Sequence, residues 1–128
     1  MRLLLDTHAL MWTILEPTRL SAKARDGIVS TRSRVFVSVI NGWEIAVKKS
    51  LSKMAVPGDM EARITRACSG AGFELLPVEL RHAFEVQFLR WHHKDPFDRL
   101  LVAQARVERL TLVSIDRAVR AYAVDVLW

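Results

Sequence analysis

Arg2-Leu3-Leu4-Leu5-Asp6-Thr7-His8 opens the chain with an apolar run that ends in a carboxylate. Three leucines in a row, with no polar alternation, are the pattern of a strand buried on both faces. An acid at the end of such a strand is costly unless something compensates its charge. The pattern returns near the other end of the chain, where Thr111-Leu112-Val113-Ser114-Ile115 leads to Asp116.

Strand-like and helix-like segments alternate between these two points. Residues 8–15 read as a helix that ends before Pro17, and Ser21 is placed to cap a second helix running through Val29. Val35-Phe36-Val37 is a short strand. Ser38 then caps a helix to about Ser50, with Ile40, Trp43 and Val47 on one stripe. Pro57-Gly58 breaks the chain, and Asp59 caps a helix that ends near Gly70 and Gly72. Residues 73–76 read as a strand and 80–89 as a helix. Asp95-Pro96-Phe97-Asp98 starts the clearest helix, since proline suits the first helical position; its apolar side is Leu100, Ala103, Val107 and Leu110. Residues 111–115 form a buried strand, 117–122 a short helix and 124–127 a last edge strand.

This alternation predicts an α/β fold with a mainly parallel sheet covered on both faces. Ligands of such sheets bind beyond the carboxyl ends of the strands. Asp6 and Asp116 both occupy that kind of position, provided the first strand and the 111–115 strand are neighbours. Glu44 lies in the helix after the second strand, and Asp98 in the first turn of its helix.

The 128 residues suit one domain, spanning 1–128, with a single core. A hydrophobic content of 51% and a charged content of 26% are those of a globular protein in water. The first apolar stretch is too short for a signal peptide and is broken by Asp6, and no run approaches the roughly 18 residues a membrane span needs. Cys68, the lone cysteine, has no internal partner, which suggests a reducing, cytoplasmic setting. Lysine and arginine number 19 against 14 acids, a net charge of +5. A basic chain with a small acidic cluster can attract a polyanion and still hold a cation.

Each acid has a plain structural explanation. Asp6 and Asp116 can cap helices, Glu44 can pair with Lys48, and Asp95 can act as N-cap before Pro96. Asp98, three residues after Asp95, can complete a capping box. As a set they suggest more. Carboxylates crowded within a few ångströms resist joint ionisation, and a hard divalent cation relieves that penalty while preferring oxygen ligands. Such an ion supports phosphodiester hydrolysis, and no Ser-His or Cys-His pair stands out as an alternative. The histidines are weaker signals. His92 and His93 adjoin the acidic helix and can touch substrate, but adjacent residues do not easily chelate one ion, and a structural or exposed role is the simpler reading. Trp12, Trp43 and Trp91 are assigned to core or interface packing before base stacking.

The opening Leu3-Leu4-Leu5-Asp6-Thr7-His8-Ala9-Leu10, the pair Val37-Ser38-Val39 and Trp43-Glu44-Ile45-Ala46, the run from His93 to Ala105 and the segment Thr111–Asp116 together resemble PIN-domain proteins. More narrowly, they resemble VapC-type toxins of bacterial toxin–antitoxin pairs, in order from end to end. The resemblance implies a three-layer α/β/α fold and a Mg²⁺- or Mn²⁺-dependent endoribonuclease. It carries the family's acidic quartet onto Asp6, Glu44, Asp98 and Asp116. Asp6, Asp98 and Asp116 would then hold the metal, with Glu44 completing the shell or orienting water. Thr7, Ser38 and Ser114 match supporting hydroxyl positions, and Asp95 is an extra acid with a role open between metal shell and helix cap. The resemblance also implies a homodimer and a cognate VapB-type antitoxin that packs over the groove. Lys48, Lys49, Arg99 and Arg117 are candidates to contact the RNA backbone. The rival reading is a non-catalytic basic module that docks RNA or protein and uses its acids only as caps. A phosphotransfer receiver domain fits less well, because here an acid ends the first strand and Glu44 lies inside a helix.

Overall fold

Along β1 (Arg2–Leu5) the side chains of Leu3 and Leu5 face one layer of the protein and Leu4 faces the other. The computed structural model describes residues 1–128. After β1 come α1 (Thr7–Leu15), α2 (Ala22–Val29), β2 (Arg34–Ser38), α3 (Val39–Ser50), α4 (Met60–Gly70), β3 (Glu74–Leu76), α5 (Leu80–Glu85), α6 (Pro96–Glu108), β4 (Thr111–Val113) and β5 (Val126–Leu127). Single 3₁₀ turns occupy Pro17–Arg19, Val86–Phe88 and Arg117–Ala121. The strands pair in parallel in the order β3-β2-β1-β4-β5.

Period-two alternation divides the core into two layers. Leu3, Leu5, Val35, Val37 and Val113 pack against Ala9 and Leu10 of α1 and Ala24 and Ile28 of α2. Leu4, Phe36 and Leu112 pack on the opposite face against Leu101, Val102 and Ala105 of α6 and Ile40 of α3. Leu3, Leu4 and Leu5 are fully buried, each stabilising the fold by roughly 2 kcal/mol relative to exposure. That burial fixes where β1 must end, and so where Asp6 must sit.

The strand order places β1 at the centre. The chain moves outward to β2 and β3, then returns to lay β4 on the other side of β1. The crevice between the ends of β1 and β4 is therefore the switch point at which such sheets bind ligands. The register Leu5↔Val113 sets Asp6 beside Ser114, and the Asp6 amide donates to the Val113 carbonyl at 3.1 Å.

Several elements differ from the sequence expectation. The helix expected over 80–89 ends at Glu85 and continues as the Val86–Phe88 turn, because the Arg99 guanidinium binds the carbonyls of Val86 and Leu89 from outside. β4 stops at Val113, and Ile115 is exposed. The buried residues of α6 are Arg99, Leu101, Val102, Ala103, Gln104 and Ala105, while Leu100 and Val107 are only half-buried. In α3 the buried residues are Ile40, Asn41, Glu44 and Ile45, and Trp43 turns outward with 53% exposure. Trp91, also assigned to packing, is mostly exposed, its ring on the Arg99 guanidinium at 3.8 Å. In both helices polar side chains occupy the inner face, which hides the true stripe from apolar periodicity.

Those inward polar groups are fully partnered. The Ser38 hydroxyl accepts from the Ile40 amide at 3.0 Å and donates to Gln104 Oε1 at 2.6 Å. Gln104 Nε2 donates to the Pro77 carbonyl at 3.1 Å. His82, with no exposed surface, accepts the Glu79 amide at Nδ1 (3.0 Å) and reaches Glu108 through Nε2 (2.8 Å). Ser38→Ala removes a cap and strands the Gln104 carbonyl oxygen, so it is expected to cost about 2 kcal/mol. Urea unfolding should show a lower midpoint with an unchanged slope.

Candidate metal centre

Asp6 follows the last residue of β1 and caps α1, accepting the Ala9 amide at Oδ1 (2.7 Å). It is 6% exposed. Burial pushes its carboxyl pKa upward, while the Ser114 hydroxyl and the Ala9 N–H pull it back. Ser114 also accepts the Asp116 amide at 3.1 Å and so shapes the turn that leaves β4.

Glu44 is aimed by a chain of hydrogen bonds that begins at the sheet. Asn41 Nδ2 donates to the Leu5 carbonyl at 3.2 Å and to Thr7 Oγ1 at 3.1 Å. Thr7 Oγ1 in turn donates to Glu44 Oε1 at 2.5 Å. Lys48, one helical turn on, donates to Glu44 Oε2 at 2.5 Å. α3 is thereby tied to the end of β1, and its one buried carboxylate is held at that edge.

Asp95 caps α6, its Oδ1 accepting the amides of Phe97 (2.8 Å) and Asp98 (3.3 Å). Asp98 returns no bond to the Asp95 backbone, so the expected capping box does not form. Its carboxyl pKa is raised from 3.8 to about 7, first by burial, then by the charges of Asp95 and Glu44, with Asp6 adding to the effect and His93 opposing it. Asp116 caps the Arg117–Ala121 turn through Oδ1, which accepts the Ala118 amide at 2.9 Å. Its Oδ2 lies 3.0 Å from His93 Nε2, and Asp98 Oδ2 lies 3.2 Å from the same nitrogen.

Apart from the Asp98 capping box, the capping and pairing explanations are real, and they are the aiming device. A cap occupies one oxygen of Asp6 and one of Asp116 and fixes the direction of the other. Carboxylates from the end of β1, from α3, from the start of α6 and from the turn after β4 arrive at one sheet edge. Lys48 and His93 are the basic groups in contact with them. The fit to a hard divalent cation is good: the donors are mainly carboxylate oxygens, and burial, reinforced by their mutual repulsion, already holds a proton on Asp98 near neutrality. His93, Asp98 and Asp116 offer ligand atoms that all lie within 4.8 Å of one another.

The raised Asp98 pKa has two consequences. Between about pH 4 and pH 7 the folded protein holds a proton that the unfolded chain has released, so metal-free stability falls as pH rises through that window. A cation must displace the same proton. Mn²⁺ affinity is expected to rise roughly tenfold from about pH 6 to about pH 8 and to level off above. Calorimetric titrations across that range check this.

Among the basic candidates, Lys49 and Arg117 are exposed, and Lys48 is half-buried against Glu44. Arg99 is not available to a phosphate. It is 3% exposed and donates to the Arg90 carbonyl at 2.7 Å and to the Tyr122 hydroxyl at 3.1 Å. Asn41 lies outside the sequence reading of the centre, and His93 enters it only as a residue that can touch substrate. Asn41 shows locally only as the capping-box partner of Ser38, whose amide its Oδ1 accepts at 2.8 Å; its bonds to Leu5 and Thr7 reach 36 and 34 residues away. His93 had one signal, its place directly before the acidic helix.

The sequence profile of the PIN domain matches residues 3–125. No curated protein sequence matches the chain. Among solved structures, the VapBC2 complex from Rickettsia felis bound to a promoter DNA fragment aligns over 98% of this chain and 97% of that one, with a TM-score of 0.71 and 16% identity. FitAcB from Neisseria gonorrhoeae aligns over 97% and 95%, with a TM-score of 0.62 and 20% identity. A toxin–antitoxin complex from Klebsiella pneumoniae aligns over 88% and 85%, with a TM-score of 0.57 and 22% identity. At these identities the likeness is one of fold.

Proposed function

Since the chain belongs to the PIN-domain family, we propose that its 128 residues act as one domain, a Mg²⁺-dependent endoribonuclease that also accepts Mn²⁺. The observation that carries this reading is the convergence of Asp6, Glu44, Asp98 and Asp116, from four separate elements, on the switch point of the sheet. Asp6, Asp98 and Asp116 would hold the ion, with Glu44 beside them. The ion would supply water activation and offset charge on the scissile phosphoryl oxygen. Thr7, Asn41 and Lys48 hold Glu44 directed inward. Ser114 orients Asp6 and the Asp116 turn. Asp95 serves α6 as its cap, and Ser38 supports α3 from within the core. Exposed Lys49 and Arg117 suit phosphate neutralisation along an RNA backbone.

Two apolar surfaces support a toxin's partners. A groove of about 760 Å³ between α3 and α4, lined by Val39, Trp43, Ile45, Met60, Ile64 and Leu75, suits an apolar segment of a VapB-type antitoxin. Leu80 and Phe84 of α5 and Phe88 of the turn that follows it are exposed apolar side chains that suit a second copy of the chain. No helix is long and apolar enough to cross a membrane, and we place the protein in the cytoplasm with its RNA.

The test is to induce the chain briefly in cells lacking an antitoxin and to sequence RNA 5′ ends, then to repeat cleavage with purified protein. The expected result is new internal 5′ ends whose formation in vitro requires Mg²⁺ and stops with chelator. RNA that is bound but never cut would favour the non-catalytic module.

A further inference from the structure

His93 stands between two of the carboxylates proposed to hold the ion, and its hydrogen bonds fix what it can do there. Its Nδ1 accepts the Asp95 amide at 3.0 Å. A nitrogen that accepts carries no proton, so the single proton of the neutral ring lies on Nε2. Nε2–H faces Asp116 Oδ2 at 3.0 Å and Asp98 Oδ2 at 3.2 Å. The ring therefore donates to Asp116, holds Asp98 in close contact at the same nitrogen, and has no lone pair on the side that faces them. To ligate a cation through Nε2 it would have to give up the Asp95 bond and move its proton to Nδ1.

The surroundings hold this arrangement in place. Arg99 binds the carbonyls of Arg90 (2.7 Å) and His93 (3.5 Å), which anchors the backbone that carries the ring. Asp95 ties the ring to α6, because its amide fixes Nδ1 while its side chain caps the helix that presents Asp98. The side chain is only 20% exposed, so solvent does not readily replace it.

We propose that His93 is a positioning residue that donates through Nε2–H to Asp116 and lies against Asp98 in the free protein, and is displaced by the cation rather than ligating it. This rests on the metal-centre reading above. The ring and the ion compete for the same two oxygens. The carboxylates are held close before the ion arrives, and the ion must break the His93–Asp116 hydrogen bond and displace the ring from Asp98 to enter.

The sign of one substitution separates the competitor from a ligand. His93→Ala removes the competitor, so Mn²⁺ affinity at fixed pH is expected to rise roughly three- to tenfold. His93→Gln restores a donor of similar reach and is expected to bind close to wild type. The measurement is Mn²⁺ calorimetry on the purified full chain and both variants, each confirmed folded by circular dichroism. Histidine ring ¹H–¹⁵N spectra of the unsubstituted protein, with and without Mg²⁺, need no variant. The His93 Nε2 proton is expected in both states, with the Nδ1 shift typical of an unprotonated nitrogen. Weaker binding by His93→Ala, unchanged binding by His93→Ala, or loss of the Nε2 proton on adding Mg²⁺ would each overturn the proposal. Binding by His93→Ala alone would support it in its strongest form. Absence of binding by all three proteins would remove the metal reading itself, and this inference with it.

Discussion

Asp6→Asn is expected to lower Mg²⁺-dependent RNA cleavage by about 100-fold or more and to leave the fold intact. The substitution exchanges one carboxylate oxygen for an amide nitrogen. The remaining oxygen still accepts the Ala9 amide, which Asp6 caps at 2.7 Å, and asparagine is as good an N-cap as aspartate. Burial already disfavours the ionised Asp6, so a neutral isostere relieves a cost in the metal-free protein. Loss of an anionic ligand removes several kcal/mol of charge stabilisation from the reaction, which is two or more decades in rate. A labelled RNA substrate followed over time gives the rate, and a thermal melt gives the fold. Cleavage at the unsubstituted rate would show that Asp6 is a cap and nothing more.

The largest stability effect is expected at a residue that looks, in sequence, like a surface arginine. Arg99→Met should destabilise the protein by about 3 kcal/mol and lower its Tm by roughly 10 °C. The guanidinium is buried between α6 and the segment that follows α5, where it donates to the carbonyls of Val86, Leu89 and Arg90 and to the Tyr122 hydroxyl. Trp91 covers it, the ring centroid 3.8 Å from the guanidinium carbon. Methionine fills much of the volume but donates to none of these acceptors, and unpaired polar groups at a part-buried site are costly. Because the same segment carries His93, the variant should also release the ring from Asp98 and Asp116. Differential scanning calorimetry measures the first effect. A Tm within about 2 °C of the unsubstituted protein would mean that water replaces the arginine without loss.

The legible parts of this fold were those governed by local chemistry. Ser21, Ser38, Asp59 and Asp95 stand one residue before helices and cap them, as their side chains suggest. The apolar runs at Leu3–Leu5 and Leu112–Val113 mark strands that are adjacent and parallel. The parts that were not legible depend on polar side chains that face inward. Arg99 and Gln104 on α6, and Asn41 and Glu44 on α3, are buried because partners far away in the chain satisfy them. An apolar periodicity assigns such residues to the solvent side and rotates the inferred helix face accordingly. Trp43 is misplaced for that reason. His93 was undervalued because adjacent histidines make a poor chelate, whereas its contacts with Asp98 and Asp116 place it among the acids as a donor.

The central claim is that Asp6, Glu44, Asp98 and Asp116 gather to hold a divalent cation. Isothermal titration of Mn²⁺ into the purified chain at mildly alkaline pH, beside Asp98→Asn, tests it without reference to any RNA. Saturable binding by the unsubstituted protein, abolished or greatly weakened in the variant, is the expected result. Absence of binding heat at any Mn²⁺ concentration, or equal binding by the folded variant, would contradict the account and leave the acids as helix caps on a basic binding domain.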